Sequence, residues 1–245
     1  MGDLMGVLSE TRDRYLELCR DASVNLATPV TVTWIKSGDA LVRWGREHLL
    51  EASLEGVRGE AWTDQPSDWS GTLGDVFSMP LKAVGRRAIV VATLNALAGR
   101  LGLTAHHFRC RHGAPLACGR ELVTQLRTRF EGVGRVLVVG CQPGDVEALV
   151  EALGADHVRV LDHDGDLIGK TLHGVRVENG NADITADVRW CDLMLVTGSS
   201  VVNGTLDDLL RHSQDHSKPV VFFGNTIAAV AAIANLERLC PAGVH

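Results

Sequence analysis

Arg189–Leu210 reads RWCDLMLVTGSSVVNGTLDDLL. Asp192 to Thr197 is an apolar run of strand length that follows a polar turn. Gly198-Ser199-Ser200 breaks it, and Asn203-Gly204-Thr205 leads into Leu206–Leu210, whose apolar spacing is helical. A buried strand that ends in small hydroxyl-bearing residues and re-enters a helix turns backbone N–H groups toward one spot, which suits an anion or a polar small molecule. A plain strand-to-helix connection capped by Thr or Asn has the same pattern. Both readings stay open on this stretch alone.

Working outward, the same rhythm recurs on either side. Arg135–Val139 is a continuous apolar run followed by Gly140-Cys141-Gln142-Pro143-Gly144 and a helical stretch through Leu153. Further strands are expected at His157–Leu161, ending at Asp162, at Gly174–Val177 and at Pro219–Phe223. Apolar strands alternating with short helices give a parallel, Rossmann-like α/β sheet covered on both faces. Ligands of such sheets bind beyond the carboxyl ends of the strands, which brings Gly140–Gly144, Asp162–Asp166 and Thr197–Thr205 to one rim.

The first third is built differently and holds Trp34, Trp44, Trp62 and Trp69, four of the five tryptophans. Leu4, Leu8, Tyr15, Leu16 and Cys19 space out an amphipathic first helix. Val30–Ile35 alternates as a strand, with Ala40–Trp44 as its expected hairpin partner across Ser37-Gly38-Asp39. Another strand is expected within Glu51–Ala61, and Asp64–Gly74 reads as a loop. Arg87–Ala98 is a helix apolar on nearly every side, hence buried. Asn95 inside it needs a hydrogen-bond partner. The expected organisation is a smaller α+β domain over residues 1–105, a connector and helix over 106–134, and the Rossmann-like domain over 135–245.

Composition excludes several function classes. The net charge of −6, with Lys and Arg scattered, leaves no basic face for nucleic acid. Met1–Tyr15 alternates charge with apolar residues, unlike a signal peptide, and no apolar run approaches the roughly 18 residues that span a bilayer. Six widely spaced cysteines fit a cytoplasmic protein with reduced thiols, and a homodimer is the default expectation for its size.

Three constellations carry chemistry. Gly140–Gly144 stands where a dinucleotide fingerprint would, but Gln142 and Pro143 replace its flexible middle. Asp162, 22 residues beyond Gly140, has nearly the spacing of the acid that takes ribose hydroxyls in nucleotide and S-adenosylmethionine folds. Asp162-His-Asp-Gly-Asp166 lacks the closing Glu of a calcium loop and reads as a solvated turn. Cys110, His112 and Cys118 place three soft-metal ligands within nine residues, with His106, His107 or Cys141 able to complete a transition-metal site after folding. Ser199 is not in a nucleophile elbow, and Asp207 and Asp208 are explained by the dipole of the helix they open.

Taken in order, VTGSSVVNGTLDDLL, Val91–Leu97, Cys118-Gly119, Gly140–Pro143 and the segment from Asp162 through Ile168-Gly169 to Gly174-Val175 resemble the motifs of the heavy-metal chelation family, a domain family of unknown function. The resemblance implies an enolase-N-terminal-like α+β domain followed by a Rossmann-like domain, with a ligand cleft between them and a part in metal handling or chelator metabolism. It further implies a pocket built from Asn95, Gln142, Asp162, Thr197, Gly198, Ser199, Asn203, Gly204 and Thr205, with Gly140 and Ser200 beside them. Two departures stand out. Ser200 replaces the family's usual Thr, and Phe223–Val230 lacks the Gly-Pro and following Pro of its closing loop. The ligand expected there is a small polar or anionic molecule, metal-associated; the alternative is an enzyme using S-adenosylmethionine or a nucleotide to build a small metabolite.

Overall fold

The computed structural model describes residues 6–36, 45–105, 107–108 and 115–243. Helix α1 (Val7–Asp21) leads into a four-stranded antiparallel sheet of β1 (Pro29–Ile35), β2 (His48–Leu54), β3 (Val57–Thr63) and β4 (Trp69–Thr72), ordered β3-β2-β1-β4. Short α2 (Leu73–Phe77) and long α3 (Val84–Arg100) follow, then α4 (Pro115–Arg129). The second half runs β5 (Val136–Val139), α5 (Pro143–Leu153), β6 (Val158–Asp162), β7 (Thr171–Leu172), β8 (Val175–Asn179), α6 (Thr185–Trp190) and β9 (Leu193–Thr197). It closes with α7 (Ser200–Asn203), α8 (Leu206–Asp215), β10 (Val220–Phe223), α9 (Ala228–Ala234) and β11 (Arg238–Leu239). Its sheet has the order β11-β10-β9-β5-β6-β8-β7, parallel except for the β7–β8 edge pair. The expected fold class, a larger mostly parallel sheet preceded by a smaller α+β unit, is the one observed.

The central strands β5 and β9 are buried along almost their whole length, because helices cover both faces. Such strands read as unbroken apolar runs, which made them easy to find. The antiparallel sheet was harder. Glu51–Ala61 is two strands, not one: Glu55 and Gly56 both take positive φ (50° and 83°), the two-residue hairpin turn that matches strand twist. The expected loop Asp64–Gly74 contains β4, which pairs with β1 from Pro29–Thr72 to Val32–Trp69. It also contains a helix start, since Thr72 and Asp75 form a reciprocal capping box. The proposed hairpin partner Ala40–Trp44 lies outside the described residues, and the neighbours of β1 are β2 and β4.

Helix α3 explains how the halves meet. Every residue from Ala88 to Ala98 is buried, against β3 and β2 on one side and α7 and α9 on the other. Gly59 of β3 lies so close that a Cβ there would fall 2.1 Å from the Ala96 nitrogen, so no larger residue fits without moving the helix. One apolar core runs from Tyr15, Leu50 and Leu97 through to Val196 and Phe222. Polar ties cross it as well: Tyr15 donates its hydroxyl to the Ala229 carbonyl at 3.1 Å, and Asp207 accepts from the Val7 N–H at 2.9 Å, capping α1.

Asn95 is the most connected of these ties. Its Nδ2 donates to the carbonyls of Glu60 (2.7 Å) and Thr226 (2.8 Å), and its Oδ1 accepts from the Ala229 N–H at 2.8 Å. Replacing Asn95 with Ala strands buried backbone groups on β3 and at the start of α9. We expect Asn95→Ala to cost about 3–5 kcal/mol, read as a fall in the denaturant midpoint. A loss within experimental error would show that the ties can be dispensed with.

Candidate ligand cavity

Strand order reverses between β5 and β9, and ligands of such sheets sit outside the strand ends at that point. A cavity of about 530 Å³ opens there, reaching from the rim loops across to Trp62, Asp64 and Val84. All three expected rim loops line it: Gly140, Cys141 and Gln142; Asp162, His163 and Asp164; and Thr197 through Ser200 with Asn203 and Thr205. Gly140 lies directly against the Thr197 side chain, joining the first loop to the third.

Much of the polar capacity of the loops is spent on holding them in place. Asp162 accepts from the Cys141 N–H at 2.7 Å and from the Asp164 N–H at 2.8 Å, so one carboxylate ties the first loop to the second. Asp164 in turn accepts from the Asp166 N–H. The turn is not merely solvated: Arg46 grips Asp166 through two bonds (3.0 and 3.1 Å) and sits 3.2 Å from Asp164. The third loop is held from α3. Arg87 donates to the carbonyls of Val202 (2.6 Å) and Asn203 (3.1 Å), at the end of α7. Gly204 then takes φ +81°, and a Cβ there would meet the Arg87 guanidinium at 3.1 Å. The glycine of the Asn-Gly-Thr motif is therefore required by its backbone and by its neighbour, and it is not among the residues lining the cavity.

Asn95 also does not line the cavity. It is fully buried with its bonds satisfied, and it acts one layer behind, where Glu60, Asn225 and Thr226 meet; Asn225 donates to Glu60 Oε2 at 2.7 Å. The atypical final loop does take part, since Phe223, Gly224, Asn225 and Thr226 line the cavity.

Two carboxyls that the sequence did not single out are the chemically unusual groups. Glu47 reaches from the segment ahead of β2 and accepts the Ser199 hydroxyl at 2.9 Å. It keeps some exposure to the cavity, yet protein encloses it on most sides. Burial pushes its pKa up to about 7, with help from Asp162 and Asp64 and against hydrogen bonds from Ser199 and Asn203. Asp145, in the first turn of α5, is only 5% exposed, and burial alone raises its pKa to about 7. Burial is the largest cause of both shifts. No local pattern marks Glu47. Asp145 looks in sequence like any acid placed to suit a helix dipole.

These carboxyls, with Asp64, Asp162 and Asp164, set the electrostatics. Among the described residues Arg46 is the one Arg or Lys in the lining, and Asp164 and Asp166 already hold it. The loop once open to an anion reading thus presents Ser199 to a carboxyl, and the lining disfavours an anionic ligand. The metal expectation rests partly on Cys110 and His112, which lie outside the described residues; Cys118 does line the cavity, with Cys141 and Cys240. Among the described residues no group of three or more His, Cys, Asp or Glu side chains is placed to hold a metal ion.

A family model described as "Putative heavy-metal chelation" (DUF364) matches residues 124–236. A DUF364 protein of unknown function from Pyrococcus horikoshii is 16% identical, covering 90% of this chain and 79% of its own, with a TM-score of 0.54. One from Desulfitobacterium hafniense is also 16% identical, covering 94% of this chain and 83% of its own, again with a TM-score of 0.54. At that identity the likeness speaks for the fold, and it includes the N-terminal half that the family model does not reach. None of the curated proteins matches the chain. The match over residues 124–236 takes in the strand ends and most of the rim loops just described, and there the chain is similar to the DUF364 family.

Proposed function

We propose that the protein binds a small polar, metal-associated ligand in this cavity. The observation that carries the reading is convergence: three rim loops and the Glu47 segment meet at the switch point around one enclosed space. The family description is in keeping with a ligand that brings a metal with it. A second reading, an enzyme using S-adenosylmethionine or a nucleotide, draws support from Asp162 at the carboxyl end of β6. Both oxygens of Asp162 already accept backbone N–H groups, leaving only spare lone pairs for ribose hydroxyls. Two carboxyls with pKa values near 7 would supply proton transfer to such an enzyme. No described helix is long and apolar enough to cross a membrane. We place the protein in the cytoplasm with reduced thiols, as a homodimer.

Thermal-shift measurements separate the two readings. Nickel–histidine and nickel–ethylenediamine represent metal chelates; S-adenosylmethionine, its demethylated product, NAD and ATP represent the enzyme's ligands. A ligand at about a hundredfold its Kd stabilises by about 2.7 kcal/mol, and we expect Asn203→Ala and Thr205→Ala each to reduce that gain for the chelates. A shift only with the nucleotides would favour the enzyme, and a shift unchanged by both substitutions would remove the ligand from this cavity.

The raised carboxyls make a separate prediction. Folded Glu47 and Asp145 keep protons that the unfolded chain releases near pH 4, so the folded state binds more protons between about pH 4 and pH 7. Their contribution to stability is therefore complete in acid and is lost as pH rises through about 7. The melting temperature of Asp145→Asn minus that of the wild type should widen between pH 5 and pH 8, by a few degrees. A constant difference would mean that Asp145 titrates normally.

A further inference from the structure

Asp145 is the third helical residue of α5, counted from its cap Gln142. A carboxylate at this position ordinarily reaches back to the cap's backbone N–H. Here it makes no hydrogen bond with backbone or side chain among the described residues, although it is 5% exposed and faces the cavity. Burying a carboxyl without a partner is costly, and a fold has no use for it when an amide or an aliphatic side chain would fill the space. The cavity it faces also has apolar walls, supplied by Leu122, Val139, Leu167, Phe223 and Leu239.

That combination discriminates between ligand classes. A divalent ion wants several oxygen, nitrogen or sulfur ligands at once, and no described cluster offers three. An anion would meet Asp145 and Glu47 with no unengaged Arg or Lys among the described lining residues. An alkylammonium group needs one or two acceptors for its N–H groups and apolar walls for its carbon stem.

Resting on the reading of this cavity as a ligand site, we infer that the ligand is a small organic cation whose protonated nitrogen lodges against Asp145. Asp145 is then a binding residue that the rim-loop motifs do not include, and the ligand supplies the donors that the protein withholds from it. A metal brought by such a ligand stays on the ligand's own donor atoms.

Calorimetric titration of the full chain with putrescine, with succinate of equal carbon number and with Zn²⁺ alone tests this. Putrescine is expected to bind the wild type, and Asp145→Asn to weaken it about ten- to hundredfold, the effect of losing a charged hydrogen bond. Asp145→Asn and Asp145→Leu should both melt no lower than the wild type, since no protein bond is lost; a drop in melting temperature for both would make Asp145 structural and overturn the inference. Putrescine binding unchanged in both variants, or succinate binding in its place, would overturn the cationic assignment and leave the cavity as a ligand site. Tight Zn²⁺ binding lost in both variants would overturn it in favour of a bare ion. Should none of the three bind the wild type, the inference fails whatever the thermal-shift panel shows, and that panel alone then decides the cavity's role.

Discussion

An amide buried in the middle of an apolar helix has to find partners or forfeit several kcal/mol, and Asn95 finds them on two separate sheets' worth of structure. Its acceptor on β3 lies 35 residues before it in the chain, and its partners at the start of α9 lie 131 and 134 residues after it. Neither could shift relative to the other without breaking a bond that no water can reach. Two turns earlier on the same helix, Arg87 holds the carbonyls that end α7. One rigid helix thereby sets two of the loops that line the cavity from the parallel sheet, the third rim loop through Arg87 and the Asn225–Thr226 loop through Asn95.

The same economy explains which polar groups remain for a ligand. Asp162 joins two loops, Arg46 grips the second of them, and Thr197 accepts from the Ser199 N–H at 3.3 Å. Groups of this kind make the cavity's shape. The groups left with unspent capacity are fewer: Glu47, which has Ser199 and Asn203 but sits among other carboxyls, Asp145, and the buried Ser200 hydroxyl, which has no partner among the described residues. Residues that break the rules of a stable interior tend to mark sites of function. The third rim loop thus has a double character, with Gly204 and the carbonyls beside it structural and the hydroxyl edge turned inward.

How far the sequence reveals this follows from the range of the forces involved. Strands β5, β6, β9 and β10 are legible because burial on both faces writes an unbroken apolar run, and the three rim loops follow from them by topology. The β2–β3 hairpin is poorly legible, since Glu55-Gly56 is an uncommon pair for its turn, and β4 hides in a segment rich in Pro, Ser and Asp. Among site residues, Gln142, Asp162, Thr197, Ser199, Asn203 and Thr205 are found from local pattern and family likeness, and all line the cavity. Asn95 is found for its oddity, and its placement behind the wall could not be told from the helix alone. Glu47 is invisible, because what makes it unusual is burial among segments distant in sequence, Ser199 152 residues away among them.

Asp145 is invisible for a subtler reason, which a comparison within the chain exposes. Asp75 holds the same third position in α2 that Asp145 holds in α5. Asp75 bonds the Thr72 N–H and hydroxyl at its own helix cap, lies open to solvent, and is held below the usual carboxylate range by those bonds. Asp166, Asp183 and Asp192 are likewise lowered by partners, chiefly Arg46, Thr185 and Arg135. In α5 the cap is Gln142, whose side chain makes no capping bond, and the carboxyl of Asp145 is left without one as well. The sequence-level rule that acids favour the first turn describes both residues equally. What separates them is whether the helix end faces water or a cavity, and that depends on β5, α4 and the final strands closing around α5. A first-turn acid that neither caps its helix nor meets solvent has given up both ordinary reasons for its place, and the partner that would restore one of them must enter from the cavity.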